Sequence, residues 1–204
     1  MWVAVVQMAA RKICPTVPDR GGVWDDGPGI VLYEGRAKMV EIMIRGQEPE
    51  DSDAIGRLLI QPGVLPGTLQ VPYTPLASRR EPAGTFTPEL HRLVAEVDGR
   101  VVGSIGLEVN RRPRRRHAAA IGMAVDQAMQ GQGIGTALLA AVLDLADGWL
   151  NLHRIELEVM CDNGRAIRLY ERHGFVIEGR LRDFSFTAGA YADAFTMARL
   201  RPAP

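Results

Sequence analysis

Hydrophobic and polar positions settle into a regular rhythm from about Val40 onward. Glu41 to Arg45 alternates apolar and polar, as a half-buried strand does. Asp51-Ser52-Asp53 offers cap-type side chains to a short helix running to Ile60, which Pro62-Gly63 stops. Residues 61–88 hold six prolines and three glycines and read as a long ordered loop with room for one helical turn. Loops of that length in compact domains usually serve function. Leu93 to Val97 and Val101 to Val109 flank Asp98-Gly99, the pattern of a tight hairpin. Arg111 to Arg116 forms a basic turn, and His117 to Val125 returns as an apolar strand.

Ile134, Leu138, Val142, Leu145 and Trp149 recur at three- and four-residue steps, which predicts a helix over 134–150 with those residues on one face. A strand at His153 to Met160 and a helix at Arg165 to His173, closed by Gly174, come next. Phe175 to Thr187 and Tyr191 to Leu200 complete the pattern as an antiparallel pair about Ala188-Gly189-Ala190. Residues 1–40 show no sustained period, and Arg20 to Gly35 is loaded with Gly, Asp and Pro. They are expected to form a poorly ordered N-terminal extension ahead of one domain at 41–202. Met1 to Ala10 is apolar but lacks the basic start and cleavage site of a signal peptide.

Composition narrows the function classes. Lys plus Arg and Asp plus Glu are equal at 24 each, so no global field draws the chain to nucleic acid or to a membrane surface. No apolar run approaches the roughly 20 residues of a spanning helix. Two cysteines, Cys14 and Cys161, make neither a disulfide framework nor a metal site, and the four histidines lack ligand spacing. A cytoplasmic protein without a metal is the expectation. The arginines of 111–116 read as a solvated hairpin tip, since no aromatic residues interleave them.

The chemistry centres on Gln130-Gly131-Gln132-Gly133-Ile134-Gly135-Thr136, between a strand and a helix. Bare N–H groups at a positive helix end suit a phosphate. A nucleoside-triphosphate loop would need Lys and Ser/Thr after the last glycine, whereas Thr136-Ala137 follows Gly135. A dinucleotide fingerprint would need a third glycine where Thr136 stands. Gln130-x-x-Gly133-x-Gly135 instead resembles the Q/R-x-x-G-x-G/A turn of the GCN5-related N-acetyltransferases (GNAT). Asn163, Ala166, Leu169, Tyr170, Gly174 and Phe175 are similar to that family's N-x-x-A-x-x-L-Y-x-x-x-G-F segment. Thr68-Leu69-Gln70-Val71-Pro72, Arg112-Pro113-Arg114-Arg115 and Gly189-x-Tyr191-x-Asp193-Ala194 resemble bacterial L-amino-acid N-acetyltransferases of the YhhY type.

The resemblance implies an α/β fold with a mixed, mostly antiparallel sheet flanked by helices and a V-shaped opening between two parallel strands. It implies acetyl-CoA as co-substrate, a small-molecule amine as acceptor, direct attack in a ternary complex and a homodimer. The acceptor is expected to be the α-amino group of a free L-amino acid. A protein N-terminus, a polyamine, or a non-catalytic acyl-CoA-binding role are the alternatives. Cofactor contacts are expected from Met123, Ala124 and Val125, from Gln130 to Thr136, and from Asn163, Ala166 and Tyr170. Tyr170 is the matched general acid. Gln70 and Tyr73 are acceptor-contact candidates. The strand before the glycine turn has no carboxylate, so Glu108, His117 and Glu156 on neighbouring strands are the base candidates, beside a route with no protein base.

Overall fold

The structure, a computed structural model, describes residues 30–34, 39–76 and 87–201. One eight-stranded sheet carries the fold, with strands β1 (Ile30–Glu34), β2 (Met39–Gly46), β3 (Leu90–Val97), β4 (Arg100–Val109), β5 (Ala118–Val125), β6 (Arg154–Met160), β7 (Val176–Thr187) and β8 (Ala190–Leu200). Their spatial order is β1-β2-β3-β4-β5-β6-β8-β7. Among the described residues, only the β5–β6 pairing is parallel. Among the described residues, three helices pack around the sheet: α1 (Ser52–Leu59), α2 (Ile134–Gly148) and α3 (Gly164–Arg172).

The β3–β4 hairpin forms at Asp98-Gly99. Both residues sit at positive φ (50° and 72°), the turn whose twist matches the flanking strands. Helix α2 is the main core element. Ile134, Leu138, Leu139 and Val142 are completely or nearly completely buried against Ile42, Ile105 and Leu107 of the sheet. Truncating any of these to Ala would cost about 2–5 kcal/mol by lost transfer energy and cavity formation. The last turn of α2 is tied to β8 by Arg199, which donates to both oxygens of Asp147 at 3.0 and 2.7 Å.

Three local readings need correction. Ile30–Glu34 pairs antiparallel with β2, so the sheet begins inside the stretch assigned to the extension. The run Ile30-Val31-Leu32-Tyr33 has strand composition, but the Gly, Asp and Pro cluster before it hides the signal. Asp51 occupies the α1 cap position without a side-chain cap bond. Its carboxylate instead takes Arg45 in a two-pronged pair at 2.7 and 2.8 Å, together with the Glu48 N–H. The guanidinium holds this buried carboxyl below the usual range. Finally, Trp149 does not continue the α2 core face; it is 80% exposed, beyond the last helical turn. The buried face runs instead through Leu139, Leu143 and Ala146.

Candidate functional site

β5 and β6 share only three in-register pairs, Ala118 with Arg154, Ala119 with Ile155 and Ala120 with Glu156. Beyond them the strands separate, while β5 stays paired to β4 as far as Val125 and β6 to β8 as far as Met160. Residues 121–125 and 157–160 therefore face each other across a gap with no ladder pairing between them. An extended chain of amides can enter that gap and pair as a strand would.

The glycine turn lies at the open end. Gly131 and Gly133 hold φ of 82° and 89°, left-handed values that a side chain resists. Gly133 is the N-cap of α2, and the first intrahelical bond is Ala137 N–H to Gly133 C=O at 2.9 Å. The N–H groups of Ile134, Gly135 and Thr136 thus lack helical acceptors and point out along the positive end of the helix dipole. Gly135 serves packing: a Cβ there would come within 3.2 Å of Leu169 Cδ2 and 3.5 Å of Met123 Cε. This close approach sets the start of α2 against α3. Gln130 spans the same joint, donating to Val125 C=O at 3.3 Å and accepting from Arg165 at 3.1 Å. Gln132 folds back onto Ala128 C=O at 3.1 Å.

Helix α3 begins at Asn163, whose Oδ1 accepts from Ala166 N–H at 3.1 Å. The side chain therefore caps the helix, and its amide nitrogen faces the turn at Gly67. Tyr170 lies one turn beyond Ala166. Its ring is buried and tilted against Phe175, with centroids 5.6 Å apart. Burial pushes the phenol up to about 12, so it stays protonated through the physiological range.

The loop after α1 is clasped to the segment between β5 and the glycine turn. Gln61 donates to Asp126 Oδ2 at 2.8 Å and accepts from Gln127 N–H at 2.7 Å. Gln127 in turn accepts from Gly63 N–H at 2.7 Å. Asp126 also caps its own turn through Ala128 N–H at 2.8 Å. Leu58 and Val64 close over Ala124. Sequence reading did not find this clasp; its only local trace is Asp126 at the end of a strand, a cap-type residue.

A family model described as the acetyltransferase (GNAT) family matches residues 65–175. The chain belongs to the GNAT acetyltransferases. The L-amino acid N-acetyltransferase AaaT of Escherichia coli is 40% identical over 163 residues, covering 80% of this chain and all of that protein. The Escherichia coli spermidine N(1)-acetyltransferase is 28% identical, covering 76% of this chain and 84% of its own length. A solved spermidine N-acetyltransferase from Vibrio cholerae, in complex with CoA and spermine, superposes with a TM-score of 0.69 at 28% identity. That match covers 78% of this chain and 95% of the other. The protein is an acetyl-CoA-dependent N-acetyltransferase of the expected fold, and the cradle of backbone edges and helix N–H groups suits CoA's amide arm and diphosphate.

The acetyltransferase's base candidates fall in different places. His117 is exposed just before β5, at the far end of that strand from the glycine turn, and its carbonyl accepts from His153 and Arg154. Glu156 is held by Arg115 at 2.5 Å and Arg154 at 2.9 Å, so its oxygens are already engaged. Glu108 is exposed on β4 opposite Ala120, at the closed throat of the V, and lies near Arg92. Glu158 was overlooked. Pairing of Ala120 with Glu156 puts Gly122 and Glu158 on that same face, two residues into the open part, and Ala124 under Val64 follows. Glu158 therefore shares the side of the gap that Leu58 and Val64 cover at Ala124. It is exposed and has no hydrogen-bond or ion-pair partner among the described residues. Of the acceptor-contact candidates, Gln70 is exposed, with its N–H on Thr68 Oγ1 at 3.2 Å, and Tyr73 is fully exposed at φ 61°. Among the described residues no helix is long and apolar enough to cross a membrane, and no acidic, histidine or cysteine group could hold a metal.

Proposed function

We propose that this acetyltransferase modifies the α-amino group of a free L-amino acid, with a catalytic domain that runs from β1 (Ile30–Glu34) to β8 (Ala190–Leu200). The likeness to AaaT along that protein's entire length carries the reading. In it, the N–H groups at 131–136 hold the CoA diphosphate, and Met123 and Val125 pair with its amide arm, while the backbone of Ala124 between them is bonded to β4. Asn163 and Ala166 leave space for that arm along α3. The β5 N–H of Val125, which the β4–β5 register turns toward the gap, donates to the thioester oxygen, an oriented contact worth a few kcal/mol as charge develops there. The neutral amine forms the new C–N bond as the C–S bond breaks. Glu158 takes the proton the nitrogen sheds, and Tyr170 donates to the departing sulfur. A free thiol at Cys161 accords with a reducing, cytoplasmic setting. A homodimer joins the reading because the β7–β8 edge exposes Val176, Phe186 and Tyr191.

A polyamine acceptor is the second reading. The spermidine acetyltransferase relatives favour it, as do two carboxylates, Glu108 and Glu158, on the acceptor face. Thiol release from acetyl-CoA, measured against a panel of amino acids, peptides and polyamines, separates the readings. Turnover confined to amino acids supports the proposal. Preference for spermidine, or no amine-dependent release at all, overturns it.

A further inference from the structure

Several arginines of this chain are spent on carboxylates: Arg45 on Asp51, Arg154 on Glu156, Arg180 on Asp193 and Arg199 on Asp147. Two on α3 are not. Arg165 and Arg168 are exposed and share one side of the helix. Neither has a carboxylate partner among the described residues. Arg165 donates to Gln130 Oε1 at 3.1 Å, which holds its guanidinium against the glycine turn. Arg168 reaches back along the helix, its Nη1 lying 3.2 Å from where a Cβ on Gly164 would stand. Leu169, on the adjoining flank, packs against Gly135 and keeps this end of α3 tight to the turn. The first turn of α3 holds no acidic residue, and the helix dipole disfavours a cation there. Fold stability therefore does not explain the pair, whereas a nearby anion would.

CoA carries two kinds of phosphate. Backbone N–H groups and the α2 dipole already answer the diphosphate. The 3′-phosphate sits one ribose away from it and, as a phosphomonoester, bears close to two negative charges near neutral pH. A planar guanidinium beside the turn matches its oxygens in a two-pronged contact. We infer that Arg165, with Arg168 beside it, takes the 3′-phosphate of CoA and makes the enzyme select CoA over its dephospho form. The inference rests on the diphosphate seat at 131–136 proposed above.

Calorimetry on the full-length protein, with CoA and with dephospho-CoA, reads this selection without turnover. Wild type should bind CoA about tenfold more tightly or better, as a charge-assisted contact provides, and the preference should shrink as salt rises. Changing Arg165→Gln and Arg168→Gln together should bring the ratio below about threefold through weaker CoA binding, with dephospho-CoA affinity within about twofold of wild type. Arg165→Lys alone keeps the charge and should retain part of the preference. If the paired change lowers Tm, Arg165→Gln alone decides, with an expected fall in the ratio of about threefold. A wild-type ratio near one, or equal losses for both ligands in a variant that melts like wild type, would overturn the assignment. The diphosphate seat is tested apart from it. Gly133→Ala should weaken both ligands alike, and indifference of both to that change would refute the seat while the ratio still judged the two arginines.

Discussion

Removing the Tyr170 hydroxyl isolates one step of the proposed chemistry. Tyr170→Phe keeps the buried ring and its contact with Phe175, so fold and cofactor cleft should persist. The size of the effect follows from the burial. A phenol pushed to about 12 is a weaker acid than a thiol near 8.5 by about 3.5 units, so full proton transfer to the sulfur is uphill by about 5 kcal/mol. Tyr170 thus acts mainly as a fixed hydrogen-bond donor to developing negative charge, worth about 1.5–3 kcal/mol. The thiolate takes its proton from water afterwards. The variant should lose about 10- to 150-fold in kcat, below the upper end of general-acid effects. The dissociation constant for CoA should stay within about twofold, since the ground state gains little from this donor. Wild-type kcat should show no alkaline limb from this group below about pH 11. Initial rates and calorimetry on both proteins decide the matter. Equal kcat values would remove Tyr170 from the reaction, and a loss in CoA binding matching the loss in rate would make it a binding residue only.

The other consequences can be tested alongside. Glu158→Gln should lower kcat/KM about 100-fold near neutral pH, with rescue at high pH as the amine deprotonates unaided, whereas Glu156→Gln should change it little; the opposite ranking would assign the base to the wrong carboxylate. Gly133→Ala forces a side chain into φ 89°, costing about 1–2 kcal/mol and several degrees in Tm, and should weaken CoA binding. Gln61→Ala breaks the clasp and should raise the acceptor KM several-fold while CoA affinity holds; a parallel fall in CoA affinity would show that the clasp serves the turn instead. Alkali supplies a stability test. Because the Tyr170 phenol is raised in the folded state, its contribution is complete below about pH 10 and lost as pH climbs through about 12. Tyr170→Phe should flatten that decline.

Much of the structure around the glycine turn was legible in the amino-acid order because it is local. The turn 130–136 needs glycines at particular positions, a strand before and a helix after, and all lie within one supersecondary unit. Asn163, Ala166 and Tyr170 lie three and four residues apart on one helix for the same reason. The hairpin at Asp98-Gly99 was equally plain, since its two positive φ values suit just those residue types. Other features depend on who sits next to whom across the sheet. The choice between Glu156 and Glu158 turns on where the β5–β6 ladder stops, and a single strand's sequence does not record the end of a pairing. The capture of Asp51 by Arg45 and the joining of Gln61 to Asp126 link residues distant in space until the chain is folded. Local propensity and spacing determined that a glycine turn and its helix would form. Tertiary packing alone decided which carboxylate faces the gap and which polar groups are already spent, because those outcomes depend on register and proximity.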